Sequence, residues 1–388
     1  MNTIHRWAAP IGALLLALAV RSAPALDSTS MAQRYADFQS RQAQKWLLTS
    51  TTSSAASSLG LASVATTASA AVDRFVRYQV RVTTGTIDPT NTPLFGSDLA
   101  GRSAQLDQQI GLSSAHATAT GRDVVVAVLD SGFNLHHPEI ASRVLPYGFD
   151  PVGRDWNPQD RGDGVDEDGD GDTDLGVGHG TFVSGMVLKT APDAWILPVR
   201  IADDEGYGLE DELVSGIDFA MSMHADVINL SFEAGTLSPT VCDKLHDANA
   251  AGIVVVVAAG NDGSDQVKAM AADGTTIAVG AVDYGDRIAA FSNVPSDGRG
   301  LTLFAPGVDL YGPHGGPSDG ADCWWSGTSF SAPFASGAVA LALETCRGLS
   351  PLQVRDRLRA ASAAPALRTD GTAYPWAGRI DLRLVVRP

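Results

Sequence analysis

Residues Gly252 to Asn261 read GIVVVVAAGN, four consecutive valines between a glycine and an Ala-Ala-Gly turn that ends on an asparagine. Branching at Cβ favours extended backbone, and an apolar run without polar alternation suits a strand covered on both faces, as in a parallel sheet. Three other stretches share this grammar: DVVVAVLD ends at Asp130, DVINLSF runs through Ser231, and TTIAVGAVD ends at Asp283. Helical patterns lie between them, such as LEDELVSGIDFAMSMH (209–224) and SPTVCDKLHDANAAG (238–252). The alternation predicts an α/β fold, a mostly parallel sheet with helices on both faces. In such sheets functional groups gather outside the carboxyl ends of the strands.

Polar residues mark those ends. Asp130 closes its strand before a Ser131-Gly132 turn, and Asn261 closes another inside AAGNDG. His179 lies in GVGHGTFVSGMVL, where glycines precede a helical run, and Ser329 opens the helical run SFSAPFASGAVALALE. A helix start places unpaired backbone N–H groups and a positive dipole end beside the Ser329 hydroxyl. Pro333 falls at or just past the first turn, where a missing donor does least harm. A serine is a weak nucleophile alone; it needs a base, a group that orients the base, and donors for the developing oxyanion. Each of these residues by itself reads as a turn, cap or packing residue. Their joint occurrence at strand and helix ends points to chemistry.

Four blocks in this order, VVAVLDSG, GHGTFVSG, AAGNDG and SGTSFSAP, resemble the signature blocks of the subtilisin-like serine peptidases, the subtilases. Asp…His…Ser is the subtilisin chain order. The segments ILPVRIADDEGYG, ADVINLSF, LFAPGVDLYGP and GRIDL are similar to family segments as well, so the resemblance runs from about residue 91 to the end. It implies a subtilisin-like fold over 91–388 and a serine endopeptidase that cuts proteins or peptides through an acyl-enzyme. By resemblance Ser329 is the nucleophile, His179 the general base, and Asp130 the carboxylate that orients the imidazole. Asn261 and the Ser329 N–H then form the oxyanion hole, with Thr328 and Ser331 in support. Ser231, Phe232 and Glu233 become one wall of the cleft, and Ala258, Ala259 and Gly260 line the pocket for the side chain before the cut bond. Two positions depart from the family. Phe182 stands where it usually has a second histidine, a change expected to alter packing and not mechanism. Glu233 stands where it usually has glycine, and is expected to point at water, with a narrowed cleft or attraction of basic side chains as the alternatives.

The run DGVDEDGDGDTDLG (163–176) places carboxylates at alternate positions with glycines between them. Alternating carboxylates suit a hard cation, and like charges this dense repel without one. Val177 takes the place of the closing glutamate of an EF-hand. The expectation is a structural calcium loop built from Asp166, Asp168, Asp170, Asp172 and Asp174, against the alternative of a solvated acidic insertion; acidic calcium loops are frequent among subtilases.

Lys+Arg number 27 against 44 Asp+Glu, a formal charge of −17, which argues against nucleic acid or an anionic membrane as partner. The apolar run AAPIGALLLALAV (8–20) follows His5 and Arg6 and precedes Ala23-Pro24-Ala25, so residues 1–25 read as a secretory signal peptide. The expected destination is extracellular or periplasmic, with no membrane span. MAQRYADFQSRQAQKWLL (31–48) sets Met31, Tyr35, Phe38 and Trp46 near one helical face. It is followed by a Ser/Thr/Ala-rich tract (49–71) that reads as a linker or weakly ordered segment, and by the strand-like VRYQVRV (76–82). By position, 26–90 matches the pro-segment of secreted subtilases, which would inhibit the cleft until removed; a permanent extension is the competing reading. Cys242, Cys323 and Cys346 are an odd set, and a helix between the last two would hold them roughly 25 Å apart, too far to bridge. Nothing in the chain demands more than a monomer.

Overall fold

The computed structural model describes residues 27–58, 96–166, 173–233, 236–315 and 322–387. The signal-peptide segment, the strand-like 76–82 and Asp168, Asp170 and Asp172 lie outside the described residues. Among those described, no helix is long and apolar enough to cross a membrane.

Eight strands form the main sheet: β1 (Val125–Asp130), β2 (Trp195–Arg200), β3 (Val227–Leu230), β4 (Val254–Ala258), β5 (Ile277–Val282), β6 (Leu303–Pro306), β9 (Ala364–Leu367) and β10 (Ala373–Arg379). A hairpin, β7 (Leu310–Pro313) and β8 (Asp322–Trp325), stands apart. The sheet order is β2-β1-β3-β4-β5-β6-β10-β9, parallel throughout except for the β9–β10 pair. The longer helices are α1 (Ser28–Ser58), α2 (Gly96–Ile110), α3 (His179–Thr190), α4 (Glu210–Ser222), α5 (Pro239–Ala250), α6 (Thr328–Thr345) and α7 (Pro351–Ala361).

The valine runs behave as two-faced burial requires. On β1, Val126 and Val128 enter one core with α3 and α6, while Val125, Ala127 and Leu129 enter a second core with α4 and α5. Strand β4 divides the same way, Val254 and Val256 against Val255 and Val257. Local chemistry sets the helix starts. Ser238 caps α5, its hydroxyl accepting the Val241 N–H at 3.3 Å, with Pro239 following at a position that needs no donor. Glu210, Asp211 and Glu212 meet the positive end of α4.

The amino-terminal helix is a docked element. Met31 and Phe38 are buried in the second core, with Tyr35 and Trp46 packed against it, which is the face the sequence spacing predicts. The Phe38 ring lies 5.2 Å from Phe149 and 5.0 Å from Phe219, and the Tyr35 hydroxyl donates to the Gly148 carbonyl at 2.9 Å. One expectation is corrected here. The tract 49–71 reads as a linker or weakly ordered segment, yet its first part, 49–58, continues the helix, and residues 59–71 lie outside the described residues. Once 28–48 is docked the nucleation cost is met, and each further residue, alanines included, extends the helix cheaply. The three cysteines are free, and for Cys323 and Cys346 this agrees with the separation expected from the helix between them.

Candidate active site

Asp130 ends β1, and His179 is the first residue of α3. A Cβ on Gly180 would collide with the carbonyl oxygen of Gly132, so only glycine lets α3 begin this close to the turn after β1. That approach brings His179 Nδ1 to 2.6 Å from Asp130 Oδ1, with both residues buried. A buried carboxylate beside a ring nitrogen fixes the tautomer: Nδ1 carries the proton and Nε2 is the free base position. The Ser131 N–H also donates to Asp130 Oδ1, at 2.9 Å. Nε2 of His179 is buried and has no hydrogen-bond partner among the described residues.

Ser329 is the second residue of α6 and 5% exposed. Its neighbours on either side tie it to the other groups. Phe330 packs its ring 5.1 Å from the His179 ring, and the Trp325 ring lies 5.9 Å away from the same imidazole. Thr328 donates to Asn261 Oδ1 twice, from its N–H at 2.8 Å and from its hydroxyl at 2.9 Å. With its oxygen so engaged, the Asn261 amide is held in one orientation, and Nδ2 is left buried with no partner among the described residues. An unpaired buried donor is costly, which marks Nδ2 as awaiting an acceptor. A relay fixes the helix start from the other side. Ser336 donates to Asn229 Oδ1 at 2.8 Å, Asn229 Nδ2 to Ser231 Oγ at 2.8 Å, and Ser231 Oγ to the Ser329 carbonyl at 2.7 Å. The Ser329 N–H sits in the first turn of α6, where helix donors lack intrahelical acceptors.

The Asp130–His179 contact, the Phe330 ring against the imidazole and the Thr328 bonds to Asn261 therefore bring the elements that carry these four residues to one place. Phe182 is fully buried, its ring 4.7 Å from Phe330 and 5.3 Å from Trp325. The residue in the usual histidine position thus fills the aromatic layer beneath His179.

The cleft residues are less uniform. Glu233 does not point at water. It is 5% exposed, its Oε1 accepts the Asn261 N–H at 2.5 Å, and its Oε2 lies 3.2 Å from Lys268 Nζ. Burial pushes the Glu233 carboxyl up, with Lys268 opposing. Lys268 and Asp262, which complete this cluster, carry no signal in the sequence because their meeting depends on a loop fold. Phe232 and Ala258 have their side chains in the core layers, so only their backbone is open to a cleft role. Ala259 is fully buried, and Gly260 sits at φ +108°, a conformation that favours glycine. Asp160 is another residue missed in the sequence. Its Oδ2 accepts the Gly178 N–H at 2.6 Å next to His179, and burial pushes its carboxyl up to about 7.

Of the expected calcium ligands, Asp174 lies with Asp163 and Asp204, one carboxylate oxygen from each lying within 4.8 Å of the other two. Asp166 is not in that group, while Asp163 and Asp204 were not foreseen; Asp204 comes from a distant loop, beyond any spacing argument. Three convergent carboxylates are a donor set that fits a hard divalent cation. Asp174 is further placed by its N–H, which donates to Glu205 Oε1 at 2.8 Å.

Comparison with known proteins gives a consistent result. A family model described as the subtilase family matches residues 121–374. Subtilisin NAT of Bacillus subtilis subsp. natto is 35% identical over 264 residues, 64% of this chain and 63% of its own length. The halolysin-like extracellular serine protease Nep of Natrialba magadii is 31% identical over 320 residues, 78% of this chain and 53% of its own length. The chain thus matches less than two thirds of the length of these relatives. Among solved structures, a protease from Pseudoalteromonas arctica PAMC 21717 superposes with a TM-score of 0.63 at 27% identity, over 71% of this chain and 93% of that one.

Proposed function

This chain belongs to the subtilase family, and on that premise we propose that it is a secreted serine endopeptidase working through Ser329, His179 and Asp130. The observation that carries the proposal is the buried Asp130–His179 pair with Nε2 unpartnered, beside a helix start bearing Ser329 and an amide of Asn261 with a free donor.

In this reading Ser329 Oγ attacks the substrate carbonyl while His179 Nε2 takes its proton. Asp130 holds the ring and stabilises its charged form. The carbonyl electron pair moves onto oxygen, which is received by Asn261 Nδ2 and the Ser329 N–H. The intermediate collapses as His179 returns the proton to the leaving amine, giving an acyl-enzyme on Ser329. A water then repeats the sequence, with His179 as base, and frees the acid. The Thr328 bonds to Asn261 keep the amide preset, so little reorganisation is needed as charge develops.

Secretion rests on the leader-like residues 1–25 and on the extracellular relative. Calcium is proposed as a structural cofactor held by Asp163, Asp174 and Asp204 with the adjoining acidic run. Bound there it would neutralise a dense negative charge and fix the loop that leads into His179. For the amino-terminal segment, the docked aromatic face of α1 supports a permanent extension over residues 28–47, whatever becomes of the chain that follows. The test of the central reading is casein hydrolysis by secreted protein and by Ser329→Ala. Loss of activity in the variant supports it; equal activity in both would refute it.

A further inference from the structure

Strands β3 and β4 are parallel neighbours with Leu230 opposite Val257, so residues 231–233 and 258–261 leave the sheet side by side. On the peptidase reading, the gap between these two walls receives the side chain before the cut bond. That gap is bridged. Glu233 reaches from one wall to the Asn261 N–H on the other, at 2.5 Å, and its second oxygen is 3.2 Å from Lys268 Nζ. Lys268 is seated against the far wall, its N–H donating to the Ala259 carbonyl at 3.1 Å. Its stem runs along Gly260, where a Cβ would lie 2.8 Å from Lys268 Cγ. The same ammonium also pairs with Asp262.

We infer that the Glu233–Lys268 pair closes this pocket to large side chains and makes the enzyme selective for small residues, such as alanine, before the cut bond. The inference rests on the proposed peptidase function. Admitting a benzyl group requires separating the pair and leaving the Glu233 carboxylate buried without its cation, a costly state. A basic side chain meets an ammonium already in place. An acidic one meets two carboxylates against one ammonium. A methyl group requires none of these displacements.

The test uses a peptide series that differs only in Ala, Phe, Lys or Glu before the cut bond, with kcat/KM measured for wild type and for the double variant Glu233→Gly/Lys268→Gly. The double variant removes both members of the pair, and Asp262, whose side chain is 45% exposed, is left to solvent. Wild type is expected to prefer Ala over Phe by on the order of 10- to 100-fold, with that ratio falling at least tenfold in the double variant. Calorimetric binding of the Ala and Phe peptides to Ser329→Ala, which needs no turnover, should rank them the same way in an otherwise unaltered pocket. A wild-type preference for Phe, Lys or Glu overturns the inference, as does an unchanged ratio in a folded double variant. Casein hydrolysis that depends on Ser329 alongside such a result would sink the pocket inference alone. Absence of any Ser329-dependent hydrolysis would remove both.

Discussion

Replacing Asp160 with asparagine should make the protein more stable at pH 8 and leave it little changed at pH 4. Asp160 is 9% exposed; one carboxylate oxygen accepts the Gly178 N–H at 2.6 Å, and the other has no hydrogen-bond partner among the described residues. Burial pushes its carboxyl from 3.8 up to about 7, the Asp130 charge adding to the rise while the Gly178 N–H and Arg200 oppose it. The fold therefore favours the neutral acid. Above about pH 4 the unfolded chain has released this proton and the folded chain still holds it, so stability falls as the pH climbs and levels off beyond about pH 7. The difference of about three pH units corresponds to roughly 4 kcal/mol at about 1.4 kcal/mol per unit. Asparagine keeps an oxygen for the Gly178 N–H and removes the charge, so the variant should escape that loss. The assay is guanidinium unfolding from pH 4 to 8 in a Ser329→Ala background, which prevents self-digestion. Curves that converge near pH 4 and separate by a few kcal/mol at pH 8 are expected. Parallel curves would show that Asp160 ionises at an ordinary pH, and the argument would be wrong.

Thr328→Val removes one of two donors that orient the Asn261 amide, and should lower kcat about tenfold with KM nearly unchanged, read from initial rates on a fixed peptide. Phe38→Ala should cost about 3–5 kcal/mol, because the ring is buried among Phe149, Trp156 and Phe219; a loss under 1 kcal/mol in chemical unfolding would mean that α1 is not docked. Calcium at 100 times its Kd should stabilise the Ser329→Ala protein by about 2.7 kcal/mol, and the gain should vanish in Asp174→Asn/Asp204→Asn. Equal gains in both proteins would place the ion elsewhere.

The parts of this molecule that were legible in the sequence are those with local causes. Runs such as VVVV at 254–257 carry their own two-faced burial, and the polar residues closing such runs sit where a parallel sheet collects them. Asp130, His179, Asn261 and Ser329 stand out in this way, in short motifs whose glycines permit close approach, while the roles proposed for them rest on the resemblance to the subtilases. What the sequence hid is made by distant loops meeting. Glu233 looked solvent-facing because nothing near it announces Lys268, 35 positions later in the chain, as its partner. Asp204 joins Asp163 and Asp174 for the same reason. The helical character of residues 49–58 is not legible because serine, threonine and alanine together read as a linker, while a docked aromatic face upstream extends the helix into them.

The most direct single measurement is to treat the secreted protein with a serine-directed covalent inhibitor and locate the adduct by peptide mass spectrometry. The account predicts one adduct per chain, on Ser329, abolished when His179 is replaced by alanine although the protein stays folded. An adduct on another residue, or none on a folded protein that still cleaves casein, would contradict it.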